Sequence, residues 1–150
     1  IQKISSQSKK SLSKNRPSLI RQAINILMHY PGLVLEISED KEFNHIDEKG
    51  IDILREIINL IHSNESIKVA TIIEHFQDLK IKEHLKNMTV QTLIISQMEA
   101  KNELQEIIWR MSERNAKSEF KQLVNKAKND VLTESERKRF LALSKSIEIK

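Results

Sequence analysis

The sequence predicts an all-α protein, and three observations predict it. Only two glycines and two prolines occur in 150 residues, although strands and tight turns need such residues and helices avoid them. The apolar residues, 39% of the chain and much of them isoleucine and leucine, recur at three- and four-residue spacing. The turn signals that do occur fall between these periodic stretches. The architecture expected is a helical bundle of about six helices, followed, via a long helix, by a C-terminal helical hairpin.

Residues 1–14 (IQKISSQSKKSLSK) are polar and aperiodic, and 1–15 is read as a disordered basic linker. No apolar stretch follows to make it a signal peptide, and the start without methionine points to a fragment of a longer chain. The first helix is expected to start at Pro17, a favoured first helical residue, with Leu19, Ile20, Ala23, Ile24, Leu27 and Met28 on one face. Pro31-Gly32 stops it. A short second helix covers Leu33–Ser38, and a polar connection over 39–47 carries Phe43 as an anchor. A third helix runs over Glu48–Ser63, capped by Asp47, with Ile51, Leu54, Ile57, Ile58 and Ile61 as its stripe. A fourth covers Lys68–Gln77 with Val69, Ile72, Ile73 and Phe76 inward, and a fifth covers Ile81–Asn87.

No glycine or proline interrupts Val90–Asn129, which therefore reads as one long helix. Leu93, Ile94, Gln97, Leu104, Ile107, Ile108 and Met111 would face the bundle. Residues 112–119 (SERNAKSE) form a polar waist, and Phe120, Leu123, Val124, Ala127 and Val131 resume a stripe. A helix with a stripe at each end and a polar middle joins two packing units. The last helix opens with Thr133-Glu134-Ser135-Glu136, which fits a capping box. Phe140, Leu143 and Ile147 follow at helical spacing. The division expected is 1–15 linker, 16–111 bundle and 112–150 hairpin.

Charge is unevenly spread within a net +4. Residues 1–16 carry five basic and no acidic side chains, 17–109 a net −6, and 110–150 a net +5. A uniformly DNA-coating domain would not have an acidic middle. With no cysteine there is no disulfide or thiolate metal site. The apolar runs are too short to span a membrane. His29, His45, His62, His75 and His84 show no metal-ligand spacing, and neither HExxH nor a glycine-rich phosphate loop is present. No catalytic constellation is found, and no cofactor or small-molecule substrate is expected.

In order and spacing, three stretches resemble the C-terminal domain of bacterial replicative primases: RQAINILMHYPGL (21–33), LREIINLIHSNESIKVATIIEHF (54–76), and the long helix through Ile107-Ile108 with the ending LTESERKRFLALSKSI (132–147). The resemblance spans about residues 16–147. One departure is Asn25, where relatives often carry glycine. The resemblance implies a non-catalytic domain in the bacterial cytoplasm, at the replisome on the nucleoid. It would bind the N-terminal domains of the replicative hexameric helicase, mostly through the hairpin, and regulate it. RNA-primer synthesis would belong to a separate polymerase domain of the parent, a DNA-directed RNA polymerase. On this reading Leu132, Phe140, Leu143, Lys145 and Ile147 form the helicase-binding surface, although the same apolar residues would also serve simply to seal the hairpin. In some relatives a basic groove takes the acidic tail of single-strand binding protein. Here that groove would comprise Arg16, Ile20, Arg21, Lys86 and Met88. Two other readings stand beside this one: a basic helical nucleic-acid-binding domain, and the related N-terminal domain of the helicase itself. The few aromatics and the lack of an evident recognition helix weigh against strong direct DNA binding.

Overall fold

The computed structural model describes residues 17–38 and 40–149; the expected linker and Arg16 lie outside them. Among the described residues there are six α-helices, two 3-10 helices and no strand.

Helix α1 spans Leu19–His29. It starts two residues after Pro17 because Ser18 is extended and its hydroxyl accepts from the Arg21 amide at 3.1 Å. Tyr30 closes it, its amide bonded to the Ile26 carbonyl at 2.8 Å. The turn at Pro31 produces a five-residue 3-10 helix, Pro31–Leu35, in place of an α-helix over 33–38. A second 3-10 helix, Lys41–His45, forms inside the expected connection, with the Asp40 carboxylate accepting from the Glu42 amide at 2.9 Å. Phe43 is half-buried against the core as expected. Arg55 organises this segment. Its Nη2 donates to the carbonyls of Phe43, Asn44 and Ile46 at 3.1, 3.1 and 2.6 Å, and its guanidinium lies 5.9 Å from the Phe43 ring centroid.

Helix α2 is Ile51–Ser63, preceded by Gly50 at φ 92° rather than capped by Asp47. The left-handed turn at Gly50 supplies the entry, and a Cβ there would lie 3.4 Å from Ile20 Cγ2. Helix α3 is Val69–His75, and α4 is Leu79–Val90, capped by the Asp78 carboxylate on the Lys80 amide at 2.8 Å. Helix α5 is Gln97–Asn129, with Ser96 and Glu99 forming a capping box. Its 33 residues span about 50 Å. Because the cap falls at Ser96, residues 91–96 are non-helical. Ile94 is 90% exposed and Gln97 is also exposed, contrary to the bundle-facing stripe expected of them, while Leu93 is half-buried. Helix α6 is Glu134–Ile149.

Two apolar clusters result. The larger gathers α1–α4, both 3-10 helices and the first half of α5 around Leu27, Leu54, Ile57, Ile61, Leu104 and Met111. The smaller lies between the second half of α5 and α6, with Ala116, Leu123 and Leu143 at its centre. Buried in and around the junction, Ser112 Oγ has no hydrogen-bond partner among the described residues, and the same holds for Asn25 Oδ1 in α1.

Candidate docking surface

The hairpin is built by closing α6 onto the distal half of α5. Thr133 Oγ1 accepts from the Glu136 amide at 3.2 Å, and Glu136 Oε1 accepts from the Thr133 amide at 3.0 Å, so the capping box read from the sequence is present. Lys126 Nζ reaches both Glu136 oxygens at 2.9 and 2.7 Å and ties the two helices near the turn. Lys126 and the Thr133 amide hold the Glu136 carboxylate down at about 2. The Phe120 and Phe140 rings stack at 5.1 Å between centroids and 19° between planes.

At the waist the expected absence of large apolar contacts is answered by polar ones. Arg114 Nε and Nη2 donate to Glu48 at 3.1 and 2.7 Å, and Asn115 Nδ2 donates to the His45 carbonyl at 3.0 Å. Ala116 and Ser112 are small and buried, which lets α5 pass close to the Lys41–His45 segment. Further along, Arg139 sits between Glu119 and Glu42 with its side chain 17% exposed. Its hydrogen bonds and charge lower the Glu119 pKa below the ordinary glutamate range, and the two carboxylates raise that of Arg139.

Helical periodicity splits α6 into two faces. Leu143 is fully buried, and Phe140 and Ile147 are half-buried on the same side. Leu132, in the turn, is half-buried against the same cluster. The opposite face presents Lys138, Leu141 and Lys145, all exposed, with Leu141 at 60%. Of the expected docking set, Lys145 therefore faces outward. Leu143 does not: it is consumed by hairpin closure, because two helices sharing one stripe bury it on each other. Ala127 and Val131, placed on the inner stripe from sequence, are exposed instead. Leu141 and Val131 were the apolar docking candidates missed. The spacing of Leu141 from Lys138 and Lys145, three and four residues, was the available signal.

The expected acidic-tail groove is less well assembled. Arg21 and Lys86 are exposed, but Ile20 and Met88 are both core residues. Ile20 packs by Gly50 near the start of α1, whereas the Met88 carbonyl meets His29 Nε2 at 3.0 Å near its end. Those two ends are roughly 13 Å apart along the helix.

Among the described residues no helix is long and apolar enough to cross a membrane, and no three His, Asp or Glu side chains are grouped to hold a metal ion.

A helical bundle carrying a second, separately packed helical unit with an exposed basic and apolar face defines a protein-interaction domain. The family described as DNA primase DnaG DnaB-binding matches residues 20–143. The chain belongs to that family: it is the non-catalytic, helicase-binding part of a bacterial primase. The crystal structure of the DnaG primase C-terminal domain from Vibrio cholerae superposes with a TM-score of 0.68, covering 84% of this chain and 96% of that one at 15% identity. At that identity the likeness concerns the fold. No curated protein matches the chain in sequence.

Proposed function

We propose that this domain docks on the N-terminal domains of the replicative hexameric helicase through its hairpin, regulating the helicase and coupling primer synthesis to the fork. The observation that carries this reading is the outward face of α6, where Leu141 lies between Lys138 and Lys145, all exposed. A half-exposed leucine flanked by two lysines offers apolar area for an anchor and positive charge to steer an acidic partner surface. The inward residues Leu132, Phe140, Leu143 and Ile147 contribute by holding that face in shape. Arg21 and Lys86 are the exposed cations that would receive an acidic tail of single-strand binding protein, as a separate and weaker activity. The test is co-elution with the helicase of the same organism. The intact domain should co-elute, and Leu141→Asp should abolish the complex while the free domain melts unchanged. Tight binding retained by Leu141→Asp would move the interface off α6. Titration with duplex DNA should give weak binding; tight, steeply salt-dependent binding would favour the nucleic-acid reading instead.

A further inference from the structure

The two apolar clusters share no side chain. Hydrophobic packing therefore holds the bundle together and holds the hairpin together, but does little to fix the angle between them. The unbroken helix α5 carries the hairpin, and the side-chain contacts that brace its tilt against the bundle are polar, in two sets. The bonds of Arg114 and Asn115 to Glu48 and His45 position the waist of α5 against the bundle without involving α6. From α6, Arg139 reaches the bundle directly. Arg139 Nη1 and Nη2 reach Glu42 at 3.3 and 2.6 Å, while Nε and Nη2 reach Glu119 at 2.8 and 2.8 Å. One planar fork thus grips a carboxylate of the hairpin's own first helix and a carboxylate of the bundle. Such bidentate pairing is directional, and it constrains orientation as well as distance. Without the guanidinium, Glu42 and Glu119 would be two partly buried carboxylates facing each other across the junction.

We propose that Arg139 is a latch that fixes the orientation of the hairpin on the bundle, and that breaking its bond to Glu42 lets the hairpin swing about the waist as a folded unit. The hairpin keeps its fold on release because the Phe120–Phe140 stack, the Leu123 and Leu143 contacts and the Lys126–Glu136 pair are internal to it. Glu42 is the informative position, since it belongs to the bundle and its loss leaves the Arg139–Glu119 bonds in place.

The chain has no cysteine, so spin labels introduced through Glu65→Cys and Lys145→Cys, at exposed positions of bundle and hairpin, report the distance between them. Electron–electron resonance of the otherwise unchanged chain should give one narrow distance distribution. Arg139→Gln and Glu42→Gln should each lose it for a broad one, with helix content by circular dichroism unchanged. A narrow distribution retained by folded Glu42→Gln would overturn the latch. So would broadening in Arg139→Gln alone, which would make Arg139 a strut within the hairpin. If Arg139→Gln fails to fold, Glu42→Gln still decides.

Discussion

Arg139 and Glu42 stand 97 residues apart in the chain and meet at 2.6 Å, with Glu119 bonded to the same guanidinium at 2.8 Å. The pairing joins the last helix to a 3-10 turn near the start of the fold. It is less exposed than the hairpin pairs Lys126–Glu136 and Lys138–Glu134. Its electrostatics have a sign that can be checked. The folded pKa of Glu119 lies below its ordinary value, so ionisation favours the folded state. That contribution is present above the unfolded value, about 4.3, and is lost as pH falls through the lowered folded value. The melting-temperature difference between the natural chain and Glu119→Gln should therefore shrink as pH falls below about 4. The subtraction cancels Glu136, whose carboxylate is also held down, at about 2. A difference that grows on acidification would contradict this assignment.

Truncation after Asn115 should leave a cooperatively folded bundle. The cut keeps the Arg114–Glu48 and Asn115–His45 bonds and the whole of the larger apolar cluster, which ends at Met111. Thermal melting should remain a single transition, and stable helicase binding should be lost. A truncated chain without a cooperative melt would make the hairpin part of the bundle's core.

How much of this was legible in the sequence depends on the span of each interaction. The Thr133–Glu136 box was legible because four consecutive residues encode it. The same signature at Ser96–Glu99 marks the true start of α5. The lack of glycine or proline after Val90 points instead to a start several residues too early. Asp47 has the residue type of a side-chain cap, whereas here the backbone of Gly50 at positive φ makes the entry. The inner face of α6 could be read from period alone. What that reading misjudged was its use: Leu143 closes the hairpin, leaving Leu141 to face outward. The Arg139 grip was invisible, since nothing local couples two residues 97 positions apart.

Ser112→Ala should be neutral or stabilising. The Ser112 hydroxyl is buried without a hydrogen-bond partner among the described residues, and leaving a polar group in that state costs about 1–3 kcal/mol. Alanine fits the same space on a helix and is a better helix former. Chemical denaturation checks it: a clear loss of stability would show that the hydroxyl is bonded in solution.

Thr133→Ala should weaken α6 by about 1 kcal/mol through loss of its cap, leaving the bundle unaffected. Amide exchange reads this locally. Protection should fall along Glu134–Ile149 and stay constant around Ile57 and Ile61. A uniform loss throughout the chain would mean that hairpin and bundle unfold as one unit.

Two leucines two residues apart on α6 separate folding from docking. Leu143 is fully buried between the hairpin helices, whereas Leu141 is 60% exposed on the opposite face. Leu143→Ala removes buried methyl groups and leaves a cavity, at a cost of about 3 kcal/mol. The hairpin has only a small cluster to draw on, so most of that loss should appear as local unfolding of α6, and helicase affinity should fall as a consequence. Leu141→Ala removes a side chain already in water and should leave the melt within about 0.5 kcal/mol of the unchanged chain. If Leu141 is an anchor, its truncation should still cost about 1–2 kcal/mol of binding, or roughly a five- to thirtyfold loss of affinity. The two variants should therefore fall on different lines when affinity is plotted against stability. Should Leu141→Ala bind normally while Leu143→Ala binds weakly only in proportion to its unfolding, the hairpin would be a scaffold for a surface elsewhere. The exposed face of α6 would then have no part in docking.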